Sequence, residues 1–287
     1  MILITGATGR IGSATVQQLS TGGVHVRALV RSPEKSASIA GAGVEIVRGD
    51  LTQPQSLEAA LQGVTRALLV SPLDPRQVTL QGNFIEAAKR AGPVHIVKIS
   101  GLGTAPDSSV RSGWWHAQIE AHLEASGLPF THLRPLFFMQ NVLRFAQAIA
   151  QTGEFAAALG EGKVAMIDVR DIAAVAVAAL TMDGHTGKAY TITGPEALSY
   201  DDVAKKLSLL TGKPVSYRDV PLAAVRPRLL ATGMPEWHVE VQMDFHTALR
   251  EGGASIVTDT VETVTGKPPR SFEQFAREHA ALFRGAR

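Results

Sequence analysis

MILITGATGRIG, residues 1–12, is the stretch from which the fold follows. Ile2 to Ile4 form an apolar run, and Gly6, Gly9 and Gly12 come next at fixed spacing. A helical pattern then opens with Ile11, Ala14, Val16 and Leu19 on its apolar side. Strand, glycine turn and helix in this order form the opening of a dinucleotide-binding unit. Each glycine has a physical task. Gly6 supplies the backbone freedom of a tight turn. Gly9 carries no side chain to hold a pyrophosphate off the backbone, and Gly12 lets helix and strand approach closely. The free N–H groups of Arg10, Ile11 and Gly12 at the helix start, with Thr8 beside them, then face the phosphates.

Outward from this stretch the chain keeps the same rhythm. Apolar runs over 2–5, 24–30, 44–48, 67–70, 94–100 and 130–134 read as strands. Helical patterns over 10–21, 34–41, 54–62, 76–91 and 112–126 alternate with them. Such alternation indicates a parallel sheet covered on both faces. Beyond Pro135 a helix is expected over 137–151, a loop over 154–162 and strands over 164–169, 189–193 and 215–220. A helix buried nearly all round is expected over 171–180, a capped one over 200–211, and a capping box of Ser271 and Gln274 before the last. The expected fold class is α/β: a Rossmann-type doubly wound parallel sheet with a smaller α+β C-terminal substrate lobe. Residues 1–152, with 164–194 returning to them, make the dinucleotide-binding domain, and 195–287 mainly the substrate lobe.

Bulk properties narrow the function. The 287 residues are enough for one domain with an elaboration or for two modest ones. A net charge of +2 without a basic block gives no pull toward nucleic acid, although a pI near 9.0 suits an anionic cofactor. The absence of cysteine removes disulfide, thiolate and Cys-type zinc chemistry together. No apolar run reaches the roughly 18 residues of a membrane span, and the first strand begins at once. The expectation is a cytoplasmic protein, monomer or homodimer, with a small-molecule substrate. Scattered His185, His238, His246 and His279 lack metal-ligand spacing, so no metal is expected.

Where an acidic residue would hold a ribose 2′-hydroxyl, at the end of the second strand, the chain reads Leu29-Val30-Arg31-Ser32-Pro33. Arg31, Ser32 and Lys35 suit a 2′-phosphate instead, with Arg10 adding charge, which points to NADP(H). Asp50 and Leu51 suit contact with the adenine, and Asp50 suits a turn role equally. Ser71 and Pro72 end strand four against the ribose.

Several motifs resemble the NmrA-like branch of the atypical short-chain dehydrogenases/reductases. They are ITGATGRIG, ALVRSPEK, GVEIVRGDL, SGLPFTHLRPLFFMQN, VRDIAAVAVAAL and SFEQFAREHAALF. The resemblance implies a quinone, azo-dye or triphenylmethane reductase, or one of the redox-sensing regulators beside them. It also implies that Pro135, Phe137, Phe138 and Asn141 flank the nicotinamide; the competing role of the two phenylalanines is core packing, and one of each is expected. The superfamily's usual Tyr with Lys four residues on is absent: Tyr190, Tyr200 and Tyr217 are followed at that spacing by Gly194, Ala204 and Pro221. His116, four residues before Glu120, stands where many relatives place a lysine. It suits proton donation to a reduced substrate or a bond to the nicotinamide ribose; its competing role is a surface histidine paired with Glu120. Ser100 closes strand five and suits a bond to substrate or nicotinamide, with a turn role as its competitor. Trp114 and Trp115 suit covering the cleft or packing the helix on the sheet, with packing expected for at least one of them and Trp115 taken as the substrate candidate. Asp168 and Asp171, around Arg170, are expected to tie the two lobes together. Arg226 and Arg228 suit an acidic substrate or plain solvation.

Three functions follow. The first is an NADPH-dependent reductase passing hydride to an electron-poor small molecule: a quinone, azo compound, conjugated imine or enone. The second is a non-catalytic NADP(H)-sensing regulatory protein. The third is a biosynthetic reductase of one specialised metabolite, with residues 225–250 shaping its pocket.

Overall fold

The computed structural model describes residues 1–101 and 103–285, apart from the side chain of Lys35. Seven strands form the main sheet: β1 (Ile2–Ile4), β2 (Val26–Val30), β3 (Val44–Arg48), β4 (Arg66–Leu69), β5 (His95–Ile99), β6 (Phe130–Pro135) and β8 (Lys188–Ile192). Their order is β3-β2-β1-β4-β5-β6-β8, and every neighbouring pair is parallel. The glycine turn therefore leaves β1 where the strand order reverses, which is the ligand crevice of doubly wound sheets.

Both faces are covered, which explains why the strands read as continuous apolar runs. On one face α1 (Arg10–Thr21), α6 (Val169–Thr181) and α10 (Thr260–Thr265) pack over Ile4, Ala28, Val97 and Leu133. On the other α2 (Pro54–Ala60), α3 (Gln77–Ala91) and α4 (Arg111–Ala125) cover Leu3, Leu69 and Ile96 with Leu57, Phe84, Ile119 and Leu123.

A second core lies beyond β6. It joins Leu136, Met139, Phe155, Met166, Tyr200 and Phe272. Around it stand α5 (Ala146–Thr152), β7 (Glu154–Ala157), α7 (Tyr200–Thr211), β9 (Ser216–Asp219), α11 (Phe272–Glu278) and α12 (Ala280–Arg284). Next to it come α8 (Val225–Ala231) and α9 (Glu236–Arg250). Ser199 with Asp202 and Ser271 with Gln274 both form complete capping boxes.

Four expected elements differ. The helix over 34–41 is only a 3-10 turn, Pro33–Lys35, because Ser36 Oγ bonds Pro33 O and competes with helical pairing. The helix over 137–151 opens as a 3-10 stretch, Met139–Phe145, before α5. The segment over 164–169 makes isolated bridges, Val164 to Leu198 and Ala254 and Ile167 to Phe138, in place of a strand. The loop over 154–162 contains β7, which pairs in parallel with β9. Four residues are too few to show an alternation, and the partner lies far along the chain.

The acidic pair around Arg170 ties the two cores. Asp168, fully buried, caps α6 by accepting from Arg170 N at 2.8 Å and also accepts from Gln140 Nε2 at 3.1 Å. Arg170 reaches on to Glu278 at 2.6 Å, and Asp171 bonds Arg270. Burial would raise the Asp168 carboxyl, but Arg170 and Gln140 outweigh it and hold it below its ordinary value. Its stabilisation is therefore present at neutral pH and lost in acid, as pH falls through that lowered value. Asp168→Ala is expected to cost about 2–4 kcal/mol in urea denaturation. A loss below about 0.5 kcal/mol, within the range of an ordinary surface change, would mean the network is inert.

Candidate functional site

Because all seven strands are parallel, the segments that follow β1 to β6 open on one edge. The glycine turn is built as the sequence implies. Gly6 sits at φ 54°, Gly9 N–H bonds Gly6 O at 2.8 Å, and Thr5 Oγ1 bonds Val70 O at 2.7 Å, clamping the turn to β4. The N–H groups of Arg10, Ile11 and Gly12 have no acceptor among the described residues. Neither a capping side chain nor an acidic residue stands in that first turn. Three unpaired donors at a helix N-terminus suit a pyrophosphate. Thr8 is exposed beside them.

Arg31 is exposed after β2 and makes no hydrogen bond among the described residues, with Ser32 half-buried next to it. Lys35's side chain lies outside the described residues. Arg10 turns the other way. Its Nη1 donates to Asn141 Oδ1 at 3.0 Å, on the β6 side of the sheet. That contact joins an expected cofactor residue to an expected substrate residue. Arg10 also lines a shallow depression of about 410 Å³ with Gln140, Arg170, Glu278 and His279, apart from the other candidates. Asp50 Oδ1 accepts from Thr52 N and Oγ1 at 2.8 and 2.9 Å, which is its turn role, and Leu51 O accepts from Asn83. Ser71 accepts from the buried Gln81 at 3.0 Å, with Pro72 beside it.

Pro135 ends β6 buried and pairs with Ile192. Phe137 packs on the second core and Phe138 on the sheet core, both half-buried. Trp115 is half-buried and Trp114 exposed. Arg226 is taken up by Glu236 and Glu240, so of the two arginines weighed for an acidic substrate only Arg228 makes no ion pair among the described residues. The α9 carboxylate of Asp244 accepts from Arg111 N at 3.0 Å and so caps α4, five residues before His116.

His116 does not pair with Glu120. Both Glu120 oxygens accept from Arg134 instead. Burial would raise the Glu120 carboxyl, but the Arg134 guanidinium and the Ser100 hydroxyl hold it below its ordinary value. Ser100 also shares a hydrogen bond with Thr104 at 3.2 Å. Glu120, Glu124 and His132 bring possible ligand atoms within 4.8 Å, yet Arg134 occupies Glu120 on both oxygens.

The partner of His116 is Lys98. Its Nζ lies 3.0 Å from His116 Nδ1 and 3.3 Å from Ile99 O, with Gln77 Nε2 3.4 Å from the same ring nitrogen. Lys98 is 0% exposed. Burial lowers its ammonium to about 7; the Glu120 charge opposes that and Arg134 adds to it. Burial, then the Lys98 charge, holds His116 well below its ordinary value, so the ring is neutral. An ammonium only donates, so Nδ1 accepts and the ring proton sits on Nε2. Nε2 makes no hydrogen bond among the described residues, and its edge faces Gly101: a Cβ there would lie 3.7 Å from it.

Lys98 is the residue that motif reading passes over. The signal was present: in HIVKIS it shares the strand face of Ile96 and Ser100, where a charge has no place in a core.

Glycine turn, unpaired helix donors and switch-point placement together define a Rossmann-type dinucleotide-binding protein. The chain belongs to the NmrA-like family, whose model matches residues 1–268. It is 44% identical, over all of both chains, to an NAD(P)H azoreductase of Xenophilus azovorans. An NADPH-dependent quinone oxidoreductase from Escherichia coli, solved with NADPH, superposes with a TM-score of 0.88 at 30% identity, covering 97% of this chain and 99% of that one. The triphenylmethane reductase of Citrobacter sp., solved with NADP(H), gives 0.86 at 27% over 97% and 99%.

Proposed function

We propose that this protein is an NADPH-dependent reductase of electron-poor small molecules, a quinone, azo compound, conjugated imine or enone, with His116 as its proton donor. It is an NAD(P)H-dependent oxidoreductase, and NADP(H) is its cofactor. When bound, the reduced nicotinamide supplies the hydride. The protein supplies position, dryness and a proton.

The observation that carries the reading is the neutral His116 imidazole, backed by Lys98 and free at Nε2 among the described residues, at the end of β5. No tyrosine competes for the role. Tyr190 Oη is bonded to His185, while Tyr200 and Tyr217 stand in the second core. An acceptor that delocalises incoming charge needs no phenolate-type base, and a neutral N–H donor is enough to quench it. The Arg10, Ile11 and Gly12 donors with Gly6, Thr8 and Gly9 hold the pyrophosphate. Arg31, Ser32 and Lys35 take the 2′-phosphate. Asp50, Leu51, Ser71, Pro72 and Ser100 line the rest of the dinucleotide. Pro135, Phe137 and Phe138 wall the ring and exclude water, while Trp115 and Asn141 meet the substrate under a lobe formed mainly by 195–287.

A panel of quinones, azo compounds, enones and simple ketones, with NADPH oxidation followed by absorbance, tests the reading. Turnover of the conjugated acceptors and none of the simple ketones is expected. Tight NADPH binding without turnover on any acceptor would overturn it in favour of a sensor. Arg31→Ala is expected to weaken NADPH roughly 10- to 100-fold, the loss of one or two charge-assisted bonds, while NADH changes little. Equal weakening of both cofactors in calorimetric titration would remove Arg31 from the 2′-phosphate site.

A further inference from the structure

We infer that Lys98 is the positioning residue and proton reservoir of His116: it holds Nδ1 as an acceptor, keeps the ring proton on Nε2, and refills the imidazole from behind as that proton leaves. The inference rests on the reductase reading of the site.

Packing alone gives no reason for this lysine. It stands at the centre of a parallel strand, fully buried and in register beside His132, where a branched apolar residue would fit. It has no ion pair among the described residues: both oxygens of Glu120, the buried carboxylate whose charge acts on it, are taken by Arg134. A buried ammonium without a carboxylate is costly. Its hydrogen-bond partners are Ile99 O and the one ring nitrogen of His116. The titratable groups around it are His116 and Glu120 from α4 and His132 and Arg134 from β6, with the Gln77 amide beside the same imidazole from α3. Of these, Glu120 and Arg134 neutralise each other and His132 Nε2 is bonded to Glu124, while Lys98 is the titratable group at hydrogen-bond distance from the ring.

The step balances. The acceptor takes an electron pair with the hydride, the dinucleotide being the reductant. The Nε2–H bond of His116 then breaks, and an O–H or N–H bond forms on the acceptor. In the same movement one Nζ–H bond of Lys98 breaks and an Nδ1–H bond forms. His116 stays neutral and ends as its other tautomer, and Lys98 ends as an amine. A proton from water at Nε2, with return of the Nδ1 proton to Lys98, restores the pair. Imidazolate never appears, which a lone neutral histidine could not avoid.

The competent form carries the Lys98 ammonium, and burial lowers that group to about 7. Activity is therefore present below that value and lost as pH rises through it. The kcat of the wild type on a quinone or azo acceptor is expected to fall about tenfold per unit above that point. Lys98→Met is expected to lower the plateau about 10- to 100-fold, to abolish this limb, and to leave KM unchanged, the general acid–base share of the rate being lost. Lys98→Arg keeps a charge that does not titrate, so it abolishes the limb as well. A purely structural lysine would lower kcat while the limb stayed. A limb near neutrality that persists in either variant overturns the inference. The second readout needs no turnover: ¹⁵N NMR of the His116 ring in the cofactor-bound protein. The Nδ1 resonance is expected to move as Lys98 titrates, while the ring stays neutral, and to be flat in Lys98→Met. No such movement in the wild type, or the same movement in the variant, overturns the inference. Movement in the wild type alone, with no acceptor turned over, overturns the reductase reading and leaves the Lys98–His116 pairing standing.

Discussion

Gly12→Ala is expected to weaken NADPH binding by at least about 100-fold, roughly 2.7 kcal/mol, in calorimetric titration. A Cβ at this position would sit 2.2 Å from Gly6 O, 2.8 Å from Gly6 C and 3.0 Å from Ala7 Cα. All three are backbone atoms, so no side chain can swing aside. Gly6 O is also the acceptor of the Gly9 N–H bond at 2.8 Å. Gly6 cannot retreat, because its own position is already close-packed on Val70 O. Either α1 lifts off β1 or the turn opens, and both move the three helix donors away from the phosphate position. A drop in stability of about 1–3 kcal/mol is expected alongside, as for other overpacked sites. Gly41→Ala is the control: nothing lies within 4 Å of a Cβ there, and binding should be unchanged. Affinity of Gly12→Ala within about threefold of wild type, under 0.7 kcal/mol, would mean that the turn is not the pyrophosphate cradle.

His116→Ala is expected to lower kcat about 100- to 1000-fold with KM and NADPH affinity unchanged, the size of loss typical of a removed general acid. The ring is half-buried, Lys98 at its Nδ1 is fully buried, and its Nε2 makes no hydrogen bond among the described residues. Truncation removes the donor and leaves Lys98 with one neighbour fewer. The loss should grow with the basicity of the reduced acceptor: small for acceptors whose anion is stable, large for those that must be protonated at once. Ser100→Ala should cost much less, because its hydroxyl is engaged with Thr104 and Glu120. An equal loss for every acceptor would make His116 a positioning group for the cofactor, and no loss would remove it from the chemistry.

The candidate site divides by range. The glycine turn was legible because its residues are consecutive and the reasons for each glycine are local. Arg31 was legible because strand length fixes where β2 ends. His116 was legible only as a residue on a helix. Its expected partner, Glu120, followed from helical spacing, whereas β6 presents Arg134 to Glu120 and β5 presents Lys98 to His116. Helical spacing records which residues share a face and carries nothing about what the neighbouring strand brings. The same limit hid β7, whose partner is β9.

The chain by itself determined the parallel sheet, the cofactor turn, the absence of the Tyr/Lys pair and the membership that its motifs resemble. These depend on periodicity, glycine placement and spacing within some thirty residues or on composition. Tertiary structure alone decided which charges meet. Whether a lysine is a solvated cation or a buried one lowered to about 7 depends on the helix laid over it. The consecutive elements β5, α4 and β6 pack together around Lys98, and desolvation there turns an unremarked strand residue into the group beside His116 Nδ1.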